Sequence, residues 1–344
     1  MKISFLLDGP IDANRGTPIR ARKIMQSLLQ SGVEVYCTTS SELSDFRNFP
    51  NYHPSKSKDE SHFLGDFFVI NLNGLWDNRS RLEGHSGIIF CDLHSLRSIE
   101  TITESYKYAL KSFVIEVWAF FFIRRNRVHC IGVNKNLVRF FGNRRVENLW
   151  FPAATINESQ FQVDNMNDKK VLFYSGNSRK YQGVEFLIET FIASHLQEEF
   201  KLVICSSDEF IESKYSFHRD IEFHIDLTPE TTSQLCANAD VAVVPRLKKL
   251  NTLLTFPSKT LEYLAMGPKV VVSNAVPELP GSLEKFVTRF EAMNSNSLIT
   301  AIQLAASAKP GEDTIRREQM EAISLHWTYS KLAGRLQNLM RSSQ

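Results

Sequence analysis

Along the chain, short unbroken apolar runs alternate with longer stretches in which apolar residues recur every three or four positions. The runs suit strands buried on both faces, and the spaced stretches suit amphipathic helices. Lys2–Leu7 reads as a strand, Thr17–Gln30 as a helix closed by Gly32, and Val33–Cys37 as a second strand. The polar turn Asp8–Gly16 (DGPIDANRG) joins the first two. Ser40–Ser61 is polar, carries Pro50 and Pro54, and reads as a loop. Strands follow at Phe67–Leu72 and Gly87–Cys91, then a long helix over Ile102–Ile123. A strand at Val128–Val133, a short helix at Lys135–Phe141 and a strand at Val146–Phe151 close the series.

Pro152–Lys170 is polar, lacks periodicity and reads as a connection. A second series then begins. Its strands are Val171–Ser175, Lys201–Cys205, Ile221–His224, Val241–Val244 and Val270–Val272. Its helices are Val184–Ala193, Glu230–Ala237 and Ser258–Met266, with Ser295–Ala308 and Ile315–Leu339 at the end. Strands alternating with helices imply parallel sheets covered on both faces. The expected fold is therefore α/β, with two doubly wound, Rossmann-like domains. The expected divisions are residues 1–151, a linker at 152–170, a second domain at 171–325, and a last helix at 326–344 that returns to the first domain. The cleft between two such domains is the default site.

Composition narrows the functional classes. The chain has 344 residues, 43% hydrophobic and 23% charged, as in ordinary globular proteins. A net charge of +2 gives no overall drive toward nucleic acid. Five scattered cysteines form no C-x-x-C pair, which argues for a reducing compartment and against structural zinc. The opening MKISFLLDGP is apolar for too few residues to be a signal peptide, so a cytoplasmic location is expected. No apolar stretch is long enough to span a membrane; Phe113–Ile123 is too short, contains Glu116, and reads as a core helix, with a membrane-surface role as the alternative. Basic residues at Arg20, Arg22 and Lys23, and at Arg124, Arg125 and Arg127, suit solvated faces. They leave open a peripheral contact with the inner face of a membrane or with an acidic acceptor.

The most informative stretch is Thr255–Asn274, TFPSKTLEYLAMGPKVVVSN. Pro257 sits at the start of its helix and Gly267 just past the end. Leu261, Leu264 and Ala265 form a buried stripe, which leaves Lys259 and Glu262 together on the opposite face. A cation beside a helix N-terminus can hold a phosphate, and a carboxylate can accept hydrogen bonds from a ribose diol. The plainer alternative is a solvated Lys–Glu pair worth a few tenths of a kcal/mol. Gly16 and Thr17 lie between the first strand and its helix, where a glycine lets the backbone approach an anion; an ordinary turn is the alternative. Asp92 and His94 follow a strand whose carboxyl end faces a crevice. Asp92 could orient His94, contact an acceptor or cap the next helix. Tyr174–Val184, YSGNSRKYQGV, opens the second domain with Gly176 and the cations Arg179 and Lys180, which could neutralise phosphate or simply be solvated. Arg246 ends the strand Val241–Val244 and would lie near Lys259.

In order and spacing, these elements resemble retaining glycosyltransferases of the GT-B fold, family four and its relatives (glycosyl transferases group 1). The helix carrying Glu262, followed by Gly267-Pro268-Lys269-Val270-Val271-Val272-Ser273, resembles that family's G-K-P-V-V-A-S signature with Pro and Lys exchanged. Tyr181-Gln182-Gly183 resembles its Y-Q-G stretch, and Val243-Val244-Pro245-Arg246 its V-x-P element. The likeness implies a nucleoside-diphosphate sugar as co-substrate, a glycan or lipid-linked acceptor, retention of configuration and no further cofactor. It places His94 near the donor sugar, Gly16 and Gly176 at the diphosphate with Arg246, Lys259, Arg179 and Lys180, and Glu262 on the ribose. The family's first glutamate falls on Leu254, which removes the usual contact to the donor sugar. No D-x-D occurs in the chain, so a metal bridging the diphosphate is not expected. The rivals are a sugar-nucleotide epimerase of the same fold and a non-catalytic scaffold that keeps it. An NAD-dependent oxidoreductase lacks its glycine fingerprint.

Overall fold

The computed structural model describes residues 1–6, 16–38, 46, 48–55, 66–83, 87–102, 105–154, 168–307 and 312–342. The expected turn at 8–15, most of the loop at 40–61 and most of the linker lie outside them. The chain divides into two compact units, residues 1–153 with 329–344, and residues 154–328.

The first unit contains β1 (Lys2–Leu6), α1 (Gly16–Gln30), β2 (Glu34–Thr38), β3 (Tyr52–Ser55), β4 (Phe67–Asn71), α2 (Leu72–Asp77), α3 (Arg79–Leu82), β5 (Ile88–Leu93), α4 (Arg97–Thr101), α5 (Tyr106–Arg125), β6 (Val128–Gly132), α6 (Lys135–Phe141) and β7 (Leu149–Trp150). Its seven strands are all parallel, in the order β3-β2-β1-β4-β5-β6-β7. The central strands are buried on both faces, which is why they read as unbroken apolar runs.

Two expectations are corrected here. Within the segment read as a loop, Tyr52–Ser55 pairs with β2 despite Pro54. Strand β3 is the sheet edge, where proline's missing N–H breaks no ladder. The helix expected at Ile102–Ile123 begins instead at Tyr106, because Ser105 starts α5 by accepting from the Tyr108 amide at 3.4 Å.

The second unit contains β8 (Lys170–Ser175), α7 (Val184–Ile192), α8 (Leu196–Glu199), β9 (Phe200–Ser206), α9 (Glu209–Tyr215), β10 (Ile221–Ile225), α10 (Pro229–Ala237), β11 (Val241–Val244), α11 (Leu250–Leu254), α12 (Ser258–Met266), β12 (Lys269–Ser273), β13 (Val287–Phe290), α13 (Ser295–Ala306) and α14 (Glu312–His326). Its six parallel strands run β10-β9-β8-β11-β12-β13. Order reverses beside β8, the first strand of the unit, so the loops leaving β8 and β11 diverge over a crevice at the carboxyl edge. Leu187, Ile188 and Phe191 of α7 pack with Leu298 and Ile302 of α13 on one face of this sheet.

The helix expected at Ile315–Leu339 is two rather than one. Helix α14 stops at His326, and α15 (Tyr329–Ser342) belongs to the first unit, where it packs on α1. No glycine or proline marks the break. Ala154 and Thr328, the first and last residues of the second unit, bridge in parallel, and the Ala154 amide donates to the Trp327 carbonyl at 2.8 Å. A tertiary contact thus ends the helix.

Candidate functional site

The carboxyl edge of the second sheet gathers the polar residues. Helix α12 forms where expected, with Leu261 and Leu264 fully buried, and ends at Gly267 in the left-handed conformation (φ +98°). Its last turn is fixed by buried Gln319 of α14, whose amide donates to the Leu264 and Pro268 carbonyls. No side chain caps its first turn. Tyr263, 2% exposed, aims its hydroxyl at Ser175, whose amide donates to it at 2.8 Å. This bond locks α12 to the end of β8.

Gly176 follows with φ +148°. A Cβ there would lie 1.7 Å from the Lys259 ammonium and 2.8 Å from the Tyr174 hydroxyl. The glycine therefore makes room for the cation. Lys259 sits 5.1 Å over the Tyr174 ring, and the Tyr174 hydroxyl donates to the Asn177 carbonyl at 3.0 Å. Burial lowers the Lys259 pKa to about 7; Arg246 adds to the fall, and Glu262 opposes it. Lys259 thus lies between a like charge, Arg246, and an opposite one, Glu262.

Arg246 is 7% exposed. It donates to Thr255 Oγ1 at 2.8 Å and lies 5.6 Å over the Tyr181 ring. Its carbonyl accepts from Ser273 of β12 at 2.6 Å, and the Leu247 amide donates to the Tyr181 carbonyl at 3.0 Å. Gly183 (φ +77°) permits this closeness, since a Cβ would stand 1.9 Å from the Pro245 carbonyl oxygen. The Y-Q-G motif therefore closes the loop after β8 against the end of β11.

The structure thus brings together Gly176, Arg246, Lys259 and Glu262, the last half-buried on α12. Arg179 and Lys180 have exposed side chains on the loop after Gly176. Leu254 lies on α11, a short helix that no pattern along the chain predicts. Tyr174, Tyr181, Thr255 and Tyr263 also build the site. Their signal was aromatic and hydroxyl residues inside the quoted motifs, which apolar patterning alone assigns to the core.

In the first unit, Asp92 and His94 lie at the carboxyl end of β5, His94 half-buried. The Asp92 carboxylate accepts from Arg20 Nε at 3.0 and 3.1 Å, both residues being buried. Arg20 also donates to the Phe151 carbonyl at 3.3 Å. Burial alone would lower the Arg20 pKa, but Asp92 and Tyr329 of α15 raise it. Arg20 is therefore not on a solvated face, as its place in a basic run suggested; it ties α1, β5 and α15 together. Asp92 does not cap α4, whose N-cap is Leu96. Gly16 and Thr17 open α1, after a turn outside the described residues.

Comparisons with known proteins agree with this architecture. Residues 169–306 match the family model of glycosyl transferases group 1. No curated protein matches the sequence. Sucrose-phosphate synthase from Thermosynechococcus elongatus superposes with a TM-score of 0.76 at 16% identity, over 99% of this chain and 98% of that one. WaaG, a glycosyltransferase involved in lipopolysaccharide biosynthesis, gives 0.67 at 12% identity, over 98% and 99%. The α,α-trehalose 6-phosphate synthase from Burkholderia multivorans gives 0.67 at 11%, over 99% and 96%. Residues 169–306 thus match a glycosyl transferases group 1 domain, and the chain has the GT-B fold of these structures.

Proposed function

We propose that this protein transfers a sugar from a nucleoside-diphosphate sugar to a glycan or lipid-linked acceptor, with retention and without a metal. The observation that carries this reading is Lys259. Its ammonium is seated against a glycine that cannot be replaced without displacing it, beside Arg246 and above the Tyr174 ring. Two cations held this close repel each other, and a diphosphate relieves the repulsion. Charge grows on the diphosphate as the glycosidic bond breaks. Donors fixed in advance around it therefore favour the transition state over the ground state. The N-terminal amides of α12, whose N-cap Pro257 makes no side-chain cap, add to the same field.

Glu262, on the same helix one turn from Lys259, accepts from the ribose hydroxyls in this reading. By the family resemblance, His94 acts on the donor sugar and Gly16 and Thr17 on the diphosphate. Arg179 and Lys180, exposed beside Gly176, close on the phosphates once a donor is bound. Asp92 acts through Arg20 by fixing the strand end that carries His94, a positioning role. Leu254 presents no carboxylate to the donor sugar.

The test is turnover. Release of nucleoside diphosphate from UDP-, GDP- and ADP-sugars is followed in EDTA, and the anomeric configuration of the product is read by NMR at early times. Release from one donor, unaffected by EDTA and with the donor's configuration, supports the proposal. An inverted product overturns retention, loss of activity in EDTA overturns metal independence, and an epimerised nucleotide sugar overturns transfer.

A further inference from the structure

Helix α5 is apolar on two sides. Its 20 residues bury Ala109, Ile115, Ala119 and Ile123 against the first unit. A helix with apolar residues all round is ordinarily covered all round. Here the opposite side stands at the surface, with Tyr106 71%, Phe121 63%, Phe113 56%, Leu110 52% and Val114 51% exposed. At 100° per residue, these and Val117 form one continuous stripe. The sequence reading of Phe113–Ile123 as core holds for one face only. Phe140 of α6 extends the patch: it is 55% exposed, packs on Phe120 at 4.9 Å between ring centroids, and its carbonyl accepts from Arg124 at 2.7 Å.

The surface charge carried by α5 and α6 has one sign. Between Ser105 and Val146 the chain carries Lys107, Lys111, Arg124, Arg125, Arg127, Lys135, Arg139, Arg144 and Arg145. Its single acidic residue there, Glu116, is buried and bonded to Ser98, whose amide donates at 3.0 Å. Nothing negative therefore reaches the surface of this stretch. On α2, α3 and α4 the basic residues Arg79, Arg81 and Arg97 stand against the acidic Asp77 and Glu100. A second copy of the same face would bring cation against cation. No helix among the described residues is long and apolar enough to cross a membrane, so the stripe is not a span.

We infer that α5 and the end of α6 form a docking face for an anionic lipid surface. The aromatic stripe enters the headgroup boundary and the lysines and arginines pair with lipid phosphates. The inference rests on the first unit alone and does not depend on the donor reading.

Co-sedimentation of the full chain with vesicles tests it. Binding to vesicles of phosphatidylcholine with phosphatidylglycerol, weakened by salt and much weaker on phosphatidylcholine alone, is the expected result. The double variant Phe113→Ser with Phe121→Ser should lower the partition coefficient about tenfold, and Lys107→Glu with Lys111→Glu similarly. Each change is on an exposed side chain, and an unchanged melting temperature establishes that the variants fold. Phe217→Ser, at an equally exposed phenylalanine of the second unit, should change nothing. Absence of binding at low salt, equal binding to neutral vesicles, or an equal loss with Phe217→Ser would overturn the inference. So would a dimer in analytical ultracentrifugation that the Phe113 and Phe121 variants dissociate.

Discussion

The two units treat charge at their strand ends in opposite ways. At the end of β5, Arg20 and Asp92 are both buried and bonded to each other, so the charges cancel. At the end of β8, Lys259 is crowded by Arg246 and only partly offset by Glu262. A cancelled pair is architecture, since removing one partner strands the other in a poor solvent. An excess of one sign is costly to hold and persists where a ligand of the opposite sign completes it.

The comparison is broken most severely at Arg20. Arg20→Met should cost about 3–5 kcal/mol of stability by leaving Asp92 buried and uncompensated. Adding Asp92→Leu should restore much of it. Denaturant titration measures both, and diphosphate affinity should change little in the double variant. Lys259→Met should do the reverse. Removing a cation that burial disfavours leaves stability equal or higher, while diphosphate affinity by calorimetry falls about 10- to 100-fold.

The glycines sharpen the contrast. Gly183→Ala sets a Cβ against the Pro245 backbone at a positive φ and should lose about 1–3 kcal/mol. Gly176→Ala meets the flexible end of Lys259 instead. It should cost less stability but displace the cation, weakening diphosphate binding about tenfold.

The same contrast shows in pH. The folded pKa of Lys259, about 7, lies below that of the unfolded chain, so above pH 7 the unfolded chain holds the extra proton. Stability of the ligand-free protein therefore gains from Lys259 as pH rises from about 7 toward 10.5. Diphosphate affinity moves the other way, falling as the ammonium deprotonates. Lys259→Arg stays charged and should flatten that fall. Because the titration of the ligand's own phosphate is common to both proteins, the difference between them isolates Lys259.

Most of this architecture was legible because parallel strands buried on both faces write themselves as apolar runs, as Val241–Val244 and Lys269–Ser273 do. Edge strands do not. Tyr52–Ser55 carries a proline, and Val287–Phe290 is half-exposed, so neither stands out. The break at Trp327 has no local cause to read. In the site, the position of Lys259 and Glu262 on one short helix followed from spacing. That Gly176 makes room for Lys259, and that Arg20 reaches Asp92 across 72 residues, are tertiary facts with no local signature. The outer face of α5 was legible only as an alternative to the core for a related reason: apolar composition says that a face avoids water, not what covers it.

The most direct test is a thermal shift of the wild type, Lys259→Met and Glu262→Ala against UDP, GDP, ADP, CMP and dTDP. A ligand that binds only the folded state raises the midpoint by an amount set by its concentration over Kd. One nucleoside diphosphate should stabilise the wild type, and both variants should lose that stabilisation. If no diphosphate raises the midpoint, or if the variants respond as the wild type does, then the carboxyl edge of the second sheet is not the donor site.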